Sequence, residues 1–237
     1  MTQLAKTRHG QVYLSLRADI LSGRVHPGEK LPFAALSERY GFSVGVIREA
    51  LSRLVEQGLV ENLPQQGFRV ASVSRENLIH LTQARCEIES LTVKHSIAEG
   101  DVNWKAEVVA ALFKLNNTPQ MDSDEPSMLS EEWVEAHSAF HSIILAGCSN
   151  PRLNDICTQL RDSAELYRRW SARLGEQEHR DIPAEHTAIA NAVTEGKADL
   201  AAKLLSEHIS LTSQLLLDSG FIGSHDENDE LNVASAS

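Results

Sequence analysis

Between Leu36 and Val70 two short helical patterns meet at a glycine, and the second runs into a glycine-bounded hairpin. Leu36 and Tyr40 lie on the first, which breaks at Tyr40-Gly41-Phe42. Ser43 stands where a cap would start the second, and there Val46, Ile47, Ala50, Leu51 and Leu54 recur at helical spacing. That spacing buries one face and leaves Val44, Gly45, Arg48 and Ser52 outward. Gly58 ends the helix, and Leu59-Val60-Glu61-Asn62-Leu63 and Phe68-Arg69-Val70-Ala71 alternate like paired strands. Pro64-Gln65-Gln66-Gly67 supplies the turn. Two helices followed by a hairpin read as a winged helix-turn-helix, a device that sets one helix in a DNA groove.

Charge divides the chain in the same place. Residues 1–74 carry nine Lys/Arg against six Asp/Glu, a net +3, which leaves −14 on the remainder to reach the overall −11. A mildly basic head suits approach to phosphates, whereas the acidic body should face away from them. At 237 residues, 42% hydrophobic and 5% aromatic, the chain fits a helical globular protein of one or two domains. No apolar run approaches the roughly 20 residues of a membrane span. The start, Met-Thr-Gln-Leu-Ala-Lys, lacks the apolar core of a signal peptide, so a cytoplasmic location is expected. Cys86, Cys148 and Cys157 have no metal-type spacing and read as buried free thiols.

Beyond the linker at Ser72–Glu76 the long segments have a helical period. Leu78, Leu81, Ala84, Ile88, Leu91 and Ile97 form one stripe up to Gly100; Val108, Ala111, Leu112 and Leu115 form another. An acidic loop spans Pro119 to Pro126, and helices are expected over 130–146, 150–174, 183–195 and 198–217. The predicted fold is mostly α: a winged helix-turn-helix over 1–74, a bundle of about six helices over 75–218, and a disordered tail over 219–237.

Histidines mark the bundle. His137 and His141 lie four apart in one helix, so their Cβ atoms stand about 5–6 Å apart on one face. His186 and His208 flank the Gly196 turn, where an antiparallel hairpin can bring them level. Such a set suits one metal ion, although helical histidines also occur solvated or simply hydrogen-bonded.

The head also resembles a known family. Tyr13, Leu16, Ile20, Gly23, Pro27-Gly28, Leu31 and Leu36, then Ile47-Arg48-Glu49-Ala50-Leu51 with Leu54, Gly58-Leu59-Val60 and Gly67-Phe68, resemble the DNA-binding domain of GntR-family transcription regulators. The helical region after the head resembles the FCD-type effector domain of the FadR subfamily, so nearly the whole chain is covered. Arg48 matches the family's recognition-helix arginine, and base or phosphate contact is expected from it with Ser43, Val44 and the wing residues Gln65, Gln66 and Gly67. Where the family places a Glu-Arg pair and an Arg-Thr-Pro run, this chain has Phe33-Ala34 and Val44-Gly45-Val46, so its operator should differ.

The resemblance implies that Phe140-His141, Glu185-His186 and Glu207-His208 carry three metal-binding histidines, with His137 in place of an aspartate, either as a fourth ligand or outside a three-histidine shell. An all-imidazole shell favours Zn²⁺, or Ni²⁺, over Mn²⁺. It keeps the full charge of the ion, so a small organic acid can complete the coordination. Arg85 matches the arginine of the family's Arg-x-x-x-Glu pattern, with Glu89; Arg161 and Arg168 lie on the long helix that follows the His141 helix and suit a carboxylate, Arg168 before Arg161 in preference. Arg85 is also placed to pair with Glu89 one turn on. Trp133, Tyr167 and Trp170 suit core or interface, and His179 the surface. Together these imply a homodimeric repressor of a palindromic double-stranded DNA operator, released by the acid, and not an enzyme. The alternatives are a helical metal-dependent enzyme, with Glu185 or Glu207 as base, and a DNA-binding protein whose metal is purely structural.

Overall fold

The structure is a computed structural model and describes residues 8–21, 24–71, 74–124, 128–173 and 180–218. The tail expected from Ser219, His179 and the ring of Trp170 lie outside the described residues. The described elements are α1 (Arg8–Leu21), α2 (Phe33–Tyr40), α3 (Val44–Glu56), β1 (Val60–Leu63), β2 (Gly67–Val70), α4 (Arg75–Glu99), α5 (Val102–Asn116), α6 (Glu131–Leu145), α7 (Pro151–Arg173), α8 (Ile182–Thr194) and α9 (Ala198–Asp218). This is a winged helix-turn-helix joined to a helical bundle, with α4 to α9 as its six described helices.

In the head, α2 ends at Gly41, whose left-handed φ of 72° makes the sharp turn into α3. Ile47, Ala50, Leu51 and Leu54 are fully buried, while Val44, Gly45, Arg48 and Ser52 face outward. Ser43 occupies the N-cap, but its side chain makes no capping hydrogen bond; its backbone carbonyl accepts from Ile47 N–H at 3.1 Å. The expected cap is therefore positional only. The antiparallel wing pairs Val60 with Val70 and Leu63 with Gly67, and its turn holds Gln65 at φ 63°. Val12, Leu16 and Ile20 of α1 are fully buried and complete this core as a third helix packed on α3.

In the bundle, α4 packs along α9 and α7, and α5 lies against α6 and α8. Helix starts are fixed by side-chain caps: Ser74 accepts from Asn77 N–H, Asp101 from Trp104, Ser130 from Trp133 and Asp181 from Ala184. Phe140, Ile144, Ile189, Val193, Ala201 and Leu205 form its apolar centre without measurable exposure. The head core is completed by three bundle residues, Leu78, Tyr167 and Leu216, so the two regions meet through apolar contact. No described helix is long and apolar enough to cross a membrane.

Candidate metal centre and nucleic-acid interface

The helical spacing of four puts His137 and His141 on the inner face of α6, with ring centroids 4.5 Å apart. His186 enters from α8 and His208 from α9, their centroids 4.6 Å apart, and His141 stands 5.1 Å from His208. One ring nitrogen from each of the four lies within 4.8 Å of the others. All are buried, and both nitrogens of His141 and Nε2 of His186 lack a hydrogen bond. Leaving such groups unpaired costs on the order of 1–3 kcal/mol each, so their persistence needs a compensating role. Burial, aided by neighbouring arginine and histidine charges, holds His137 and His141 well below the usual imidazole range; His186 is lowered in the same direction, again first by burial. Neutral rings with orphaned lone pairs are the form that ligates a divalent transition metal, and the donor set fits Zn²⁺ or Ni²⁺.

A second layer aims the fourth ring. Nδ1 of His208 meets Glu185 Oε2 at 2.7 Å, and Arg180 grips both oxygens of that carboxylate at 2.6 Å. Arg180 is itself held by the His208 carbonyl at 3.0 Å and the Thr212 hydroxyl at 2.8 Å. With Nδ1–H donated to Glu185, the lone pair of His208 resides on Nε2. Burial works to raise the Glu185 carboxyl, but the bonds from His208 and Arg180 outweigh it and bring it down to about 2. Glu185 thus orients a ring by a strong hydrogen bond instead of standing as a base beside the cluster. Trp133 stacks on His137 with centroids 4.7 Å apart, an aromatic contact to the site that residue pattern alone did not single out.

Beside the cluster lies a cavity of about 530 Å³, reached by His137, His141 and His208 and by Arg85, Arg161 and Arg168. Each arginine engages protein groups: Arg85 pairs with fully buried Glu89 at 2.7 Å, and Arg161 donates to the His141 carbonyl at 3.3 Å and the Ser142 hydroxyl at 3.1 Å. Arg168 pairs with Glu165 and stands 5.5 Å from the Trp133 ring centroid. Arg169, which no sequence pattern marks, bonds Glu165 at 2.7 Å and Glu131 at 2.6 and 2.7 Å. Part of the wall comes from the head: Leu14, Arg17 and Leu21 of α1 line the same space. Only tertiary packing brings residues so distant in sequence to one cavity.

On the head's outer surface, Ser43, Val44, Arg48, Gln65 and Gln66 are exposed and Gly67 half-buried. The Arg48 guanidinium lies 4.6 Å over the Phe33 ring, and Phe33 meets Phe68 of the wing edge-on with centroids 5.7 Å apart. Arg48 makes no hydrogen bond or ion pair to the described residues.

Residues 8–70 match the family described as "Bacterial regulatory proteins, gntR family" and residues 80–211 match the FCD domain. The HTH-type transcriptional repressor GlaR of Escherichia coli (strain K12) is 36% identical over 200 residues, covering 83% of this chain and 90% of that protein. The uncharacterized HTH-type transcriptional regulator BphR of Paraburkholderia xenovorans (strain LB400) is 30% identical over 207 residues, covering 87% and 84%. Among solved structures, E. coli McbR/YncC superposes with a TM-score of 0.67 at 21% identity over 92% of this chain and 99% of that one, a likeness of fold.

Proposed function

The chain belongs to the gntR family of bacterial regulatory proteins, a transcriptional regulator with an FCD domain and not an enzyme, and on that premise we propose that it is a dimeric repressor released by a small organic acid bound at a histidine-coordinated metal. Four clustered buried histidines, of which His141 and His186 have unpaired nitrogens and three reach an arginine-lined cavity, carry the proposal. His137, His141, His186 and His208 hold the ion, Zn²⁺ or alternatively Ni²⁺. When bound, it supplies an undiminished positive charge to which a carboxylate can coordinate. Arg85 and Arg168, with Arg161 beside them, orient the acid from the cavity wall, each keeping its present partner as a strut.

Two copies place two α3 helices about one turn of DNA apart, on an imperfect palindrome. In each, Arg48 with Ser43 and Val44 meets base edges, and Gln65, Gln66 and Gly67 of the wing meet the backbone or minor groove. Because α1 of the head walls the cavity, an acid that binds better when the head is displaced weakens DNA binding. DNA then weakens acid binding by the same factor. The repressor sense follows the name of GlaR, and the site of action is the cytoplasm.

Thermal unfolding of metal-characterised protein with a panel of small mono- and dicarboxylates and sugar acids tests this, with His141→Ala in parallel. The expected result is acid-dependent stabilisation of the wild type, none in the variant, and retained DNA binding by both. No shift with any acid overturns the sensing role and leaves the histidines structural.

A further inference from the structure

The outward face of α3 carries an unusual pair for a base-reading surface. Val44 and Arg48 are one turn apart, so they are neighbours on the exposed side of α3, along the edge of the buried stripe that carries Ile47 and Leu51. Val44 is 44% exposed at the first position of the helix, and beside it a side chain added at Gly45 would meet nothing within 4 Å. An apolar side chain at the tip of a recognition helix, with open space around it, gains little in the free protein. The other nearby arginine, Arg53, is turned inward over the Tyr13 ring at 4.6 Å. Arg48 holds its guanidinium over the Phe33 ring, 4.6 Å from the centroid, and Phe33 is braced by Phe68 of the wing. A guanidinium held over a ring, with no hydrogen bond to the described residues, keeps its N–H edge free. That edge matches the O6 and N7 of guanine in the major groove, whereas a branched apolar side chain matches the 5-methyl of thymine.

We infer that this head reads its operator with a mixed pair: Arg48, held by Phe33, donates edge-on to a guanine, and Val44 packs on the methyl group of a neighbouring thymine. The inference rests on α3 entering the major groove, as in the proposed function. Phe33 is a positioning residue, fixing the direction in which Arg48 donates without touching DNA itself. Ion pairing with phosphates is not what Val44 supplies, so its contribution is independent of salt.

The test selects preferred duplexes from a random-sequence pool with the full-length protein, then replaces each thymine of the selected site by deoxyuracil, which removes only the methyl group. Wild-type affinity is expected to fall about three- to fivefold at one thymine per half-site, the equivalent of one buried methyl. Val44→Ala should bind the thymine and uracil duplexes equally, with an unchanged salt slope. Arg48→Ala should lose guanine preference at the adjacent position by about tenfold or more. Phe33→Ala should lose about two- to fivefold of that guanine preference, and Phe33→Tyr, which keeps the ring, should restore it. Equal binding of thymine and uracil duplexes by the wild type, or uracil sensitivity retained in Val44→Ala, overturns the methyl contact. Guanine preference unchanged in Phe33→Ala, with the fold verified by circular dichroism, overturns the positioning role. A pool that yields no preferred sequence overturns the DNA-reading role of α3, and the mixed pair with it.

Discussion

In the head, the buried carboxylate of Asp19 accepts hydrogen bonds from Arg24 and Arg39 at 2.7 Å and from Tyr40 at 2.6 Å. In the bundle, buried His141 has two nitrogens with no hydrogen bond and His186 has one, at the place where six helices could have packed aliphatic side chains. A domain whose function lies on its outer surface needs no cluster of unpaired ligand atoms inside: the head's unpaired buried side-chain atoms, among the described residues, are the Ser37 hydroxyl and Arg69 Nε. One whose function lies inside leaves part of its interior unsatisfied until something binds. The head should therefore behave as a rigid, ligand-independent unit, and the bundle as one whose stability depends on what it holds.

The sharpest way to break that contrast is Leu51→Ala, which opens a cavity in the centre of the head. It should destabilise the head by about 2–5 kcal/mol in urea unfolding and abolish operator binding. Zinc-induced stabilisation of the bundle should survive; if it disappears, the two regions are one cooperative unit and the contrast fails.

Acid titration probes the bundle further. Burial acts to raise the Glu165 carboxyl, but Arg168 and Arg169 outweigh it and lower it from 4.5 to about 2. A carboxyl depressed in the folded state stabilises fully above the unfolded value. This contribution is thus complete above about pH 4.5 and is lost as the pH falls toward 2, a span on the order of 2–3 kcal/mol. Urea unfolding between pH 6 and 3 should show that slope in the wild type and a flatter one in Glu165→Gln.

Glu185→Ala should weaken Zn²⁺ binding about 10- to 100-fold in chelator competition, because the His208 ring loses its orienting partner. DNA binding by the metal-free head should not change. The smallest effects compare two serines at the same helix position. Ser130 accepts from Trp133 N–H at 3.1 Å, so Ser130→Ala should cost about 1 kcal/mol. Ser43 makes no capping bond, so Ser43→Ala should stay within about 0.5 kcal/mol in thermal unfolding, whatever it does to DNA affinity.

Most of the architecture was legible because each element has a local cause. The break at Gly41 requires a left-handed residue, the α3 stripe buries one face, and the glycine after the wing turn closes a hairpin. His137 and His141 were legible from helical spacing, and His186 with His208 from the hairpin they flank. The orienting chain from Arg180 through Glu185 to His208 was not, because it joins a loop and two helices through side-chain directions that no spacing encodes. Nor was the seat of Arg48 over Phe33, which lies 15 positions earlier and carries no periodic relation to it.

What the sequence determined by itself was the set of elements, their order, and the four histidines that meet in the bundle: periodicity, glycine turns and residue type are properties of neighbours along the chain. Tertiary structure decided how the arginines pair, where the cavity lies, and that α1 of the head lines part of a space that the histidine cluster also reaches. Those outcomes depend on which helix faces meet, and helix faces meet through long-range packing between segments up to about two hundred residues apart.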